Sequence, residues 1–190
     1  MTTAPFALPE PFVEQCEKIA LDLRGELGLS GEARLDPLEL FEQRAIEVHT
    51  IERFRETLPD EVARLTGEGA DAFSAATVFC GTRCLVLVNP SQSDREKAVS
   101  IAHELAHLEL EHEPTWPLFD ERGRRRSWCA NEEAEAEYFA GALLVPRSGL
   151  KSVLRSLNRD VRGVASHFGV DIALLKRRLA ESGGSRVVDP

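Results

Sequence analysis

Residues 95–112 read REKAVSIAHELAHLELEH, a stretch in which two histidines lie four residues apart with a glutamate between them. The polar segment SQSD at 91–94 offers helix N-caps, so we expect a helix from about residue 94 to about His112. A helix places residues four apart on one face. The imidazoles of His103 and His107 can therefore reach one metal ion.

The pattern His-Glu-x-x-His at 103–107 is typical of zinc peptidases. Zinc in a catalytic site takes three protein ligands and keeps a fourth position open. Glu104 lies beside that position and is the expected general base. The pattern predicts one Zn²⁺ per chain, held by His103 and His107. Two surface histidines without a metal are less favoured, because neighbouring alanines and leucines make this helix face apolar.

A third ligand must come from elsewhere in the chain. A histidine ten residues after the first would complete the longer motif HExxHxxGxxH, but Glu113 stands there and Leu110 replaces the glycine. His112 is one residue short of that position and lies on a different part of the helix surface. We expect it to have a structural role or to support a ligand.

The acidic segment NEEAEAEYFAGALLVP at 131–146 offers the remaining candidates. Glu133 and Glu137 share a helical face, so Glu133 could be a ligand and Glu137 a partner for a histidine. Glu137 would then add negative charge near the metal and shift activity to higher pH. A solvated acidic face is the alternative, and Cys129 is a weaker candidate ligand.

The rest of the chain predicts an α+β, mainly helical fold with a small antiparallel sheet of about three strands. Helices are expected at about 10–27, 36–44, 131–144, 148–157, 160–168 and 171–181, and strands at 45–51, 73–80 and 83–88. A hairpin turn at Gly81-Thr82 is favoured over a second metal or redox site at Cys80 and Cys84. Residues 113–130 are expected to form a surface loop.

Length and composition predict one cytoplasmic domain over residues 1–190, in which 147–181 could form a C-terminal helical subdomain. The chain has neither an apolar run of the ~18 to 20 residues that a membrane span needs nor a basic and then apolar leader. A net charge of −9 argues against a surface devoted to nucleic acid. The four cysteines are expected to be free, buried thiols.

The C-terminal basic segment, residues 147–178, is the one place where nucleic acid could bind. Within it, VASHFGVDIALLKRRL at 164–179 has the form of two short helices around Gly169, like a helix-turn-helix. A solvated basic face packed on the acidic helix is the favoured interpretation. DNA binding is therefore possible but not expected.

Three blocks of the chain resemble the ImmA/IrrE family of HExxH metallopeptidases, over roughly residues 85–180. They are LVLVN followed by SIAHELAHLELEH, then EAEAEYFAGALLVP, then VASHFGVDIALLKRRL. The resemblance implies a zincin-like metallopeptidase domain and makes Glu133 the third zinc ligand. The chain departs from the family pattern at Glu137, where asparagine is usual, and at Ala106, where glycine is common.

The resemblance also implies a function, that of a regulatory endopeptidase. Its protein substrate would be a helix-turn-helix transcriptional repressor, in a stress-response, mobile-element or phage-related system. Tyr138 and His167 are candidate donors to the oxyanion of the reaction. The alternative is a non-hydrolytic, zinc-containing regulator that binds DNA or a repressor protein, and the intact Glu104 argues against it.

Overall fold

The computed structural model describes residues 8–67, 70, 73–80, 83–112 and 129–183, and for Cys80 the backbone alone. The described elements are α1 (Glu10–Glu26), α2 (Pro37–Gln43), β1 (Glu47–Thr50), a 3-10 helix (Ile51–Phe54), α3 (Pro59–Thr66), β2 (Ala75–Cys80), β3 (Arg83–Val88), α4 (Asp94–Glu109), α5 (Ala130–Leu144), α6 (Arg147–Ser156), α7 (Val161–Phe168) and α8 (Ile172–Glu181). The fold is α+β and mainly helical, as predicted. Most of the expected loop at 113–130 and the turn at Gly81-Thr82 lie outside the described residues.

The N-terminus of α4 is fixed by a capping box. The Ser93 side chain accepts a hydrogen bond from the backbone N–H of Glu96, and the Glu96 carboxylate accepts one from the backbone N–H of Ser93. This arrangement satisfies two of the donors that a helix start leaves unpaired. The cap sets where α4 begins and hence which residues lie on its buried face.

The sheet has the strand order β1-β3-β2 and is mixed, whereas an antiparallel sheet was expected. Strands β2 and β3 pair in antiparallel fashion, as predicted, but β1 runs parallel to β3. The physical reason is the connection between β1 and β2, in which the 3-10 helix and α3 carry the chain far enough for β3 to return between the two strands. The sequence pattern had not indicated either of these helices.

One face of the sheet packs on α4, which in turn packs on α5. Val86 and Val88 of β3 point into this interface and are buried together with Leu105 of α4. Helix α5 is buried through most of its second half and also contacts α1. The core therefore includes α1, α4 and α5, the sheet closes one side of it, and buried residues of α2, α6, α7 and α8 extend it.

The buried Arg178 links helix α8 to this core through ion pairs and a hydrogen bond. Its guanidinium lies 2.5 Å from the Glu17 carboxylate of α1 and 2.8 Å from the Glu181 carboxylate, and it donates to the carbonyl of Val145. A buried charge is tolerated when such partners are present, and loss of one partner would be strongly destabilising. The pairing links α1 and α8, which lie at opposite ends of the chain and both contact α5.

Among the helices of the described ranges, none is both long and apolar enough to cross a membrane. The described thiols of Cys16, Cys84 and Cys129 are free, but of these Cys16 alone is buried as expected, whereas Cys84 is half-buried and Cys129 is exposed.

Candidate metal centre

Helices α4 and α5 bring two histidines and a glutamate together. His103 and His107 lie one turn apart on α4, and Glu133 lies in the first turn of α5. The Nε2 atoms of the histidines are 3.1 Å apart, and the Glu133 carboxylate oxygens lie 3.3 Å from His103 Nε2 and 3.5 Å from His107 Nε2. Between a fifth and a third of each side chain is exposed to solvent, so a substrate can reach the group.

The spacing of the two histidine nitrogens and the Glu133 carboxylate fits one zinc ion. Zinc lies about 2.0 to 2.1 Å from a histidine nitrogen or a carboxylate oxygen, so two ligands at the tetrahedral angle are about 3.3 Å apart. The two imidazole nitrogens are 3.1 Å apart, and Oε2 and Oε1 of Glu133 lie 3.3 Å from His103 and 3.5 Å from His107 respectively, so each pair is close to that value. Within the described part of the chain, these residues form the one group of three or more metal-binding side chains, and Cys129 is not a member.

The environment of His107 favours the neutral imidazole that a metal ligand requires. Burial, followed by the nearby charge of His103, lowers the pKa of His107 to about 4, although Glu133 opposes the shift. At neutral pH the ring therefore carries no extra proton that a metal would have to displace.

Glu104 is held by a residue that sequence reasoning did not identify. The hydroxyl of Thr77, on β2, donates a hydrogen bond of 2.6 Å to Oε2 of Glu104. Burial raises the pKa of the Glu104 carboxyl, and the Thr77 hydroxyl counteracts that rise because it stabilises the charged form. A raised pKa makes the Glu104 carboxylate a stronger base toward a water molecule.

His112 lies beside the metal-binding group and not on a separate surface. Its Nδ1 is 2.9 Å from Nδ1 of His107, and its Nε2 is 3.2 Å from the Glu135 carboxylate. Only 7% of the His112 side chain is exposed. The expectation that His112 supports a ligand is therefore compatible with its position, whereas no sequence signal had singled out Glu135.

Glu137, which we expected to support a histidine, is placed elsewhere. Its carboxylate forms an ion pair with Arg177 of α8, and 60% of its side chain is exposed. Glu137 lies one helical turn beyond Glu133 along α5, where Arg177 of α8 is the cation within reach of its carboxylate. The expectation that the charge of Glu137 shifts activity to higher pH therefore has no structural basis. The carboxylate beside a histidine is that of Glu135.

The two candidate oxyanion donors also have other partners. Tyr138 donates a hydrogen bond of 2.9 Å to the Glu17 carboxylate, and the Arg178 guanidinium lies over its ring. His167 lies on α7, with Nε2 at 2.7 Å from the carbonyl oxygen of Glu32. Neither side chain is directed at the group formed by His103, His107 and Glu133 in this structure.

Comparison with protein-family models gives one match, to the model described as Peptidase M78, IrrE N-terminal-like domain, over residues 57–180. The match includes both histidines of α4, Glu104 and Glu133, and it spans more than half of the 190 residues. No curated protein and no solved structure matches the chain. Together with the His-His-Glu group, the match shows that the chain belongs to the IrrE N-terminal-like family of peptidases, a metallopeptidase family.

Proposed function

We propose that the chain is a zinc-dependent endopeptidase in which His103, His107 and Glu133 hold one zinc ion and Glu104 is the general base. The observation that carries the proposal is the grouping of His103, His107 and Glu133, whose nitrogens and carboxylate oxygens lie 3.1 to 3.5 Å apart. Beside His103 in the sequence stands Glu104, whose burial raises the pKa of its carboxyl. Ligation alone would not need Glu104. Its position next to His103 is the arrangement that peptide hydrolysis requires.

A zinc ion bound at this group would polarise the scissile carbonyl and acidify the attacking water. Thr77 fixes Oε2 of Glu104 and leaves the second carboxylate oxygen to accept the proton of that water. The raised pKa of Glu104 favours this proton uptake. Glu104 then passes the same proton to the leaving nitrogen, which is more basic than a carboxylate. The reaction breaks one amide bond and consumes one water molecule.

Strand β2 suggests how a peptide is held. Among the described strands it has a neighbour, β3, on one side only, and through Thr77 it contacts the general base. Extended peptides commonly add to such an edge through backbone hydrogen bonds. We propose that the substrate lies along β2 as an additional strand, which would bring its scissile bond next to Glu104.

The proposed substrate is a helix-turn-helix transcriptional repressor, which the protease would cleave in the cytoplasm as part of a stress-response, mobile-element or phage-related circuit. Family resemblance supports this target. A repressor cut between its DNA-binding and dimerisation regions loses affinity for its operator, because each half then binds alone. Cleavage would in this way switch on transcription.

The alternative function, a zinc-containing regulator that binds DNA, is less well supported. The basic segment contributes less free charge than the sequence suggested, because Arg177 pairs with Glu137 and the buried Arg178 pairs with Glu17 and Glu181. DNA affinity depends on cations that are free to neutralise phosphates. A titration with duplex DNA at two salt concentrations would reveal any such binding.

The proposal is tested by co-expression of the chain with each repressor encoded near its gene, followed by mass spectrometry of the fragments. We expect the wild type to cut one repressor at a defined peptide bond. Glu104→Gln should keep the metal and leave the repressor intact, whereas His103→Ala should lose both metal and activity. Equal cleavage by the wild type and Glu104→Gln would refute the proposed mechanism.

A further inference from the structure

Helix α4 ends in a turn that contains an unusual backbone conformation. Leu110 is the C-cap, and Glu111 follows with φ = 54°, in the left-handed region that residues other than glycine seldom adopt. The N–H of Glu111 donates to the carbonyl of Leu108 at 3.3 Å, and the N–H of His112 donates to the carbonyl of His107 at 3.0 Å. These two hydrogen bonds define a Schellman motif.

The turn determines where the His112 side chain lies. If α4 continued, residues five apart would differ by about 140° in direction, and His112 would point away from His107. The left-handed residue folds the chain back instead, so that the two ring centroids are 5.0 Å apart and the two Nδ1 atoms are 2.9 Å apart. The contact therefore depends on the conformation of Glu111.

The contacts of the His107 and His112 rings indicate which nitrogen of each ring carries the proton. Metal binding through His107 Nε2 requires a lone pair on that atom, so the ring proton is on Nδ1. His107 Nδ1–H can then donate to the lone pair of His112 Nδ1, which leaves the His112 proton on Nε2. That proton points at the Glu135 carboxylate, 3.2 Å away. Every donor in the chain of three side chains meets one acceptor.

We propose that His112 and Glu135 are positioning residues which fix the tautomer and the ring orientation of His107 for metal binding. The inference rests on the proposed metal site and adds to it a pair of residues that do not touch the metal. A carboxylate at the end of such a chain also makes the ligand nitrogen more electron-rich and strengthens the metal bond. Because Glu135 and Glu133 lie on the same helix, α5 supplies both a ligand and the support for another ligand.

The test compares zinc affinity, measured by competition with a chromophoric chelator, in the full-length wild type and four variants. His112→Phe keeps a ring but removes both hydrogen bonds, and Glu135→Ala removes the terminal carboxylate. We expect each to bind zinc about 10- to 100-fold more weakly than the wild type. His112→Asn, whose amide oxygen can accept the His107 proton, should recover part of the loss. Glu137→Ala makes the same change on an exposed part of α5 and should keep wild-type affinity.

Two further readouts separate positioning from a general effect on folding. The visible spectrum of the cobalt-substituted protein should change in His112→Phe and Glu135→Ala but not in Glu137→Ala. Imidazole ¹H–¹⁵N spectra of the wild type should show His107 protonated on Nδ1 and His112 on Nε2. If His112→Phe does not fold, Glu135→Ala still decides the question, because its side chain is partly exposed.

The possible outcomes distinguish this inference from the proposed function. A wild type that binds zinc, together with variants of unchanged affinity and unchanged cobalt spectrum, would overturn the positioning role and leave the zinc peptidase intact. A wild type that binds no zinc would overturn both. Weaker zinc binding in His112→Phe and Glu135→Ala, with wild-type affinity in Glu137→Ala, supports the positioning role, whether or not a substrate has been found.

Discussion

Thr77→Val replaces the hydroxyl that donates to Glu104 with a methyl group of nearly the same size. The change keeps a β-branched side chain in β2 and leaves the backbone edge of the strand unaltered. A hydrogen bond to a charged group contributes about 1.5 to 3 kcal/mol, and the lower end applies here because Glu104 is half-buried. At 1.36 kcal/mol per pKa unit, its loss should raise the pKa of Glu104 by about one unit.

The sign of the effect on activity follows from the role of Glu104. The carboxylate is the active form of a general base, so a higher pKa means that a higher pH is needed to generate it. We expect the acid limb of the pH–kcat/KM profile to move up by about one unit in Thr77→Val. On that limb the rate should fall about tenfold, and at higher pH the difference should shrink.

The assay is cleavage of a fluorogenic peptide or an identified repressor between pH 5 and 9, with zinc loading checked for each variant. Thr77→Ser retains the hydroxyl and is the matched control, and its profile should coincide with that of the wild type. KM should change little, since the variant keeps the strand that we propose as the substrate edge. An acid limb that stays in place in Thr77→Val would show that the Thr77 hydrogen bond does not tune the base.

The remaining predictions concern stability and the corrected role of Glu137. A Cβ added at Gly149 would collide with the backbone carbonyl of Gly31, so Gly149→Ala should destabilise the fold by about 1 to 3 kcal/mol in urea unfolding. A Cβ added at Gly25 would meet nothing within 4 Å, so Gly25→Ala should be stabilising. A Gly25→Ala variant less stable than the wild type would contradict the second of these two predictions. Glu111→Gly should stabilise the metal-free protein by about 1 kcal/mol because glycine adopts the left-handed conformation of residue 111 without strain. A lower thermal midpoint for this variant would contradict the left-handed conformation of the turn. Glu137→Asn should leave the pH–rate profile unchanged because its carboxylate pairs with Arg177, and a shifted profile would restore the role we first expected.

Helix starts were the part of the fold that local sequence signals predicted best. The SQSD segment placed the start of α4, and Asp36-Pro37 placed that of α2, because a cap and a proline act on the adjacent backbone alone. Helix α3 was missed, since Val62 is its one buried residue and so leaves almost no apolar periodicity. The direction of β1 was wrong because strand pairing depends on residues far apart in the chain.

The residues of the candidate site also divide into those that a local sequence pattern predicted and those that depend on contacts between distant parts of the chain. The spacing of His103 and His107 is a property of one helix, and the structure places their ligand atoms 3.1 Å apart. Glu133 came from family resemblance, since nothing in an acidic run distinguishes one glutamate from the next. Thr77, 27 residues before Glu104, gave no signal at all. The contact between His112 and His107 requires a left-handed residue that the glutamate at 111 gave no reason to expect.

The central claim is that zinc held by His103, His107 and Glu133 acts together with Glu104 to hydrolyse peptide bonds. The most direct test is the rate of peptide cleavage by wild type and Glu104→Gln, each loaded with one zinc ion per chain. We predict measurable cleavage by the wild type and a rate at least 100-fold lower for Glu104→Gln, about the size of a general-base contribution. Equal rates at equal zinc content would contradict the assignment.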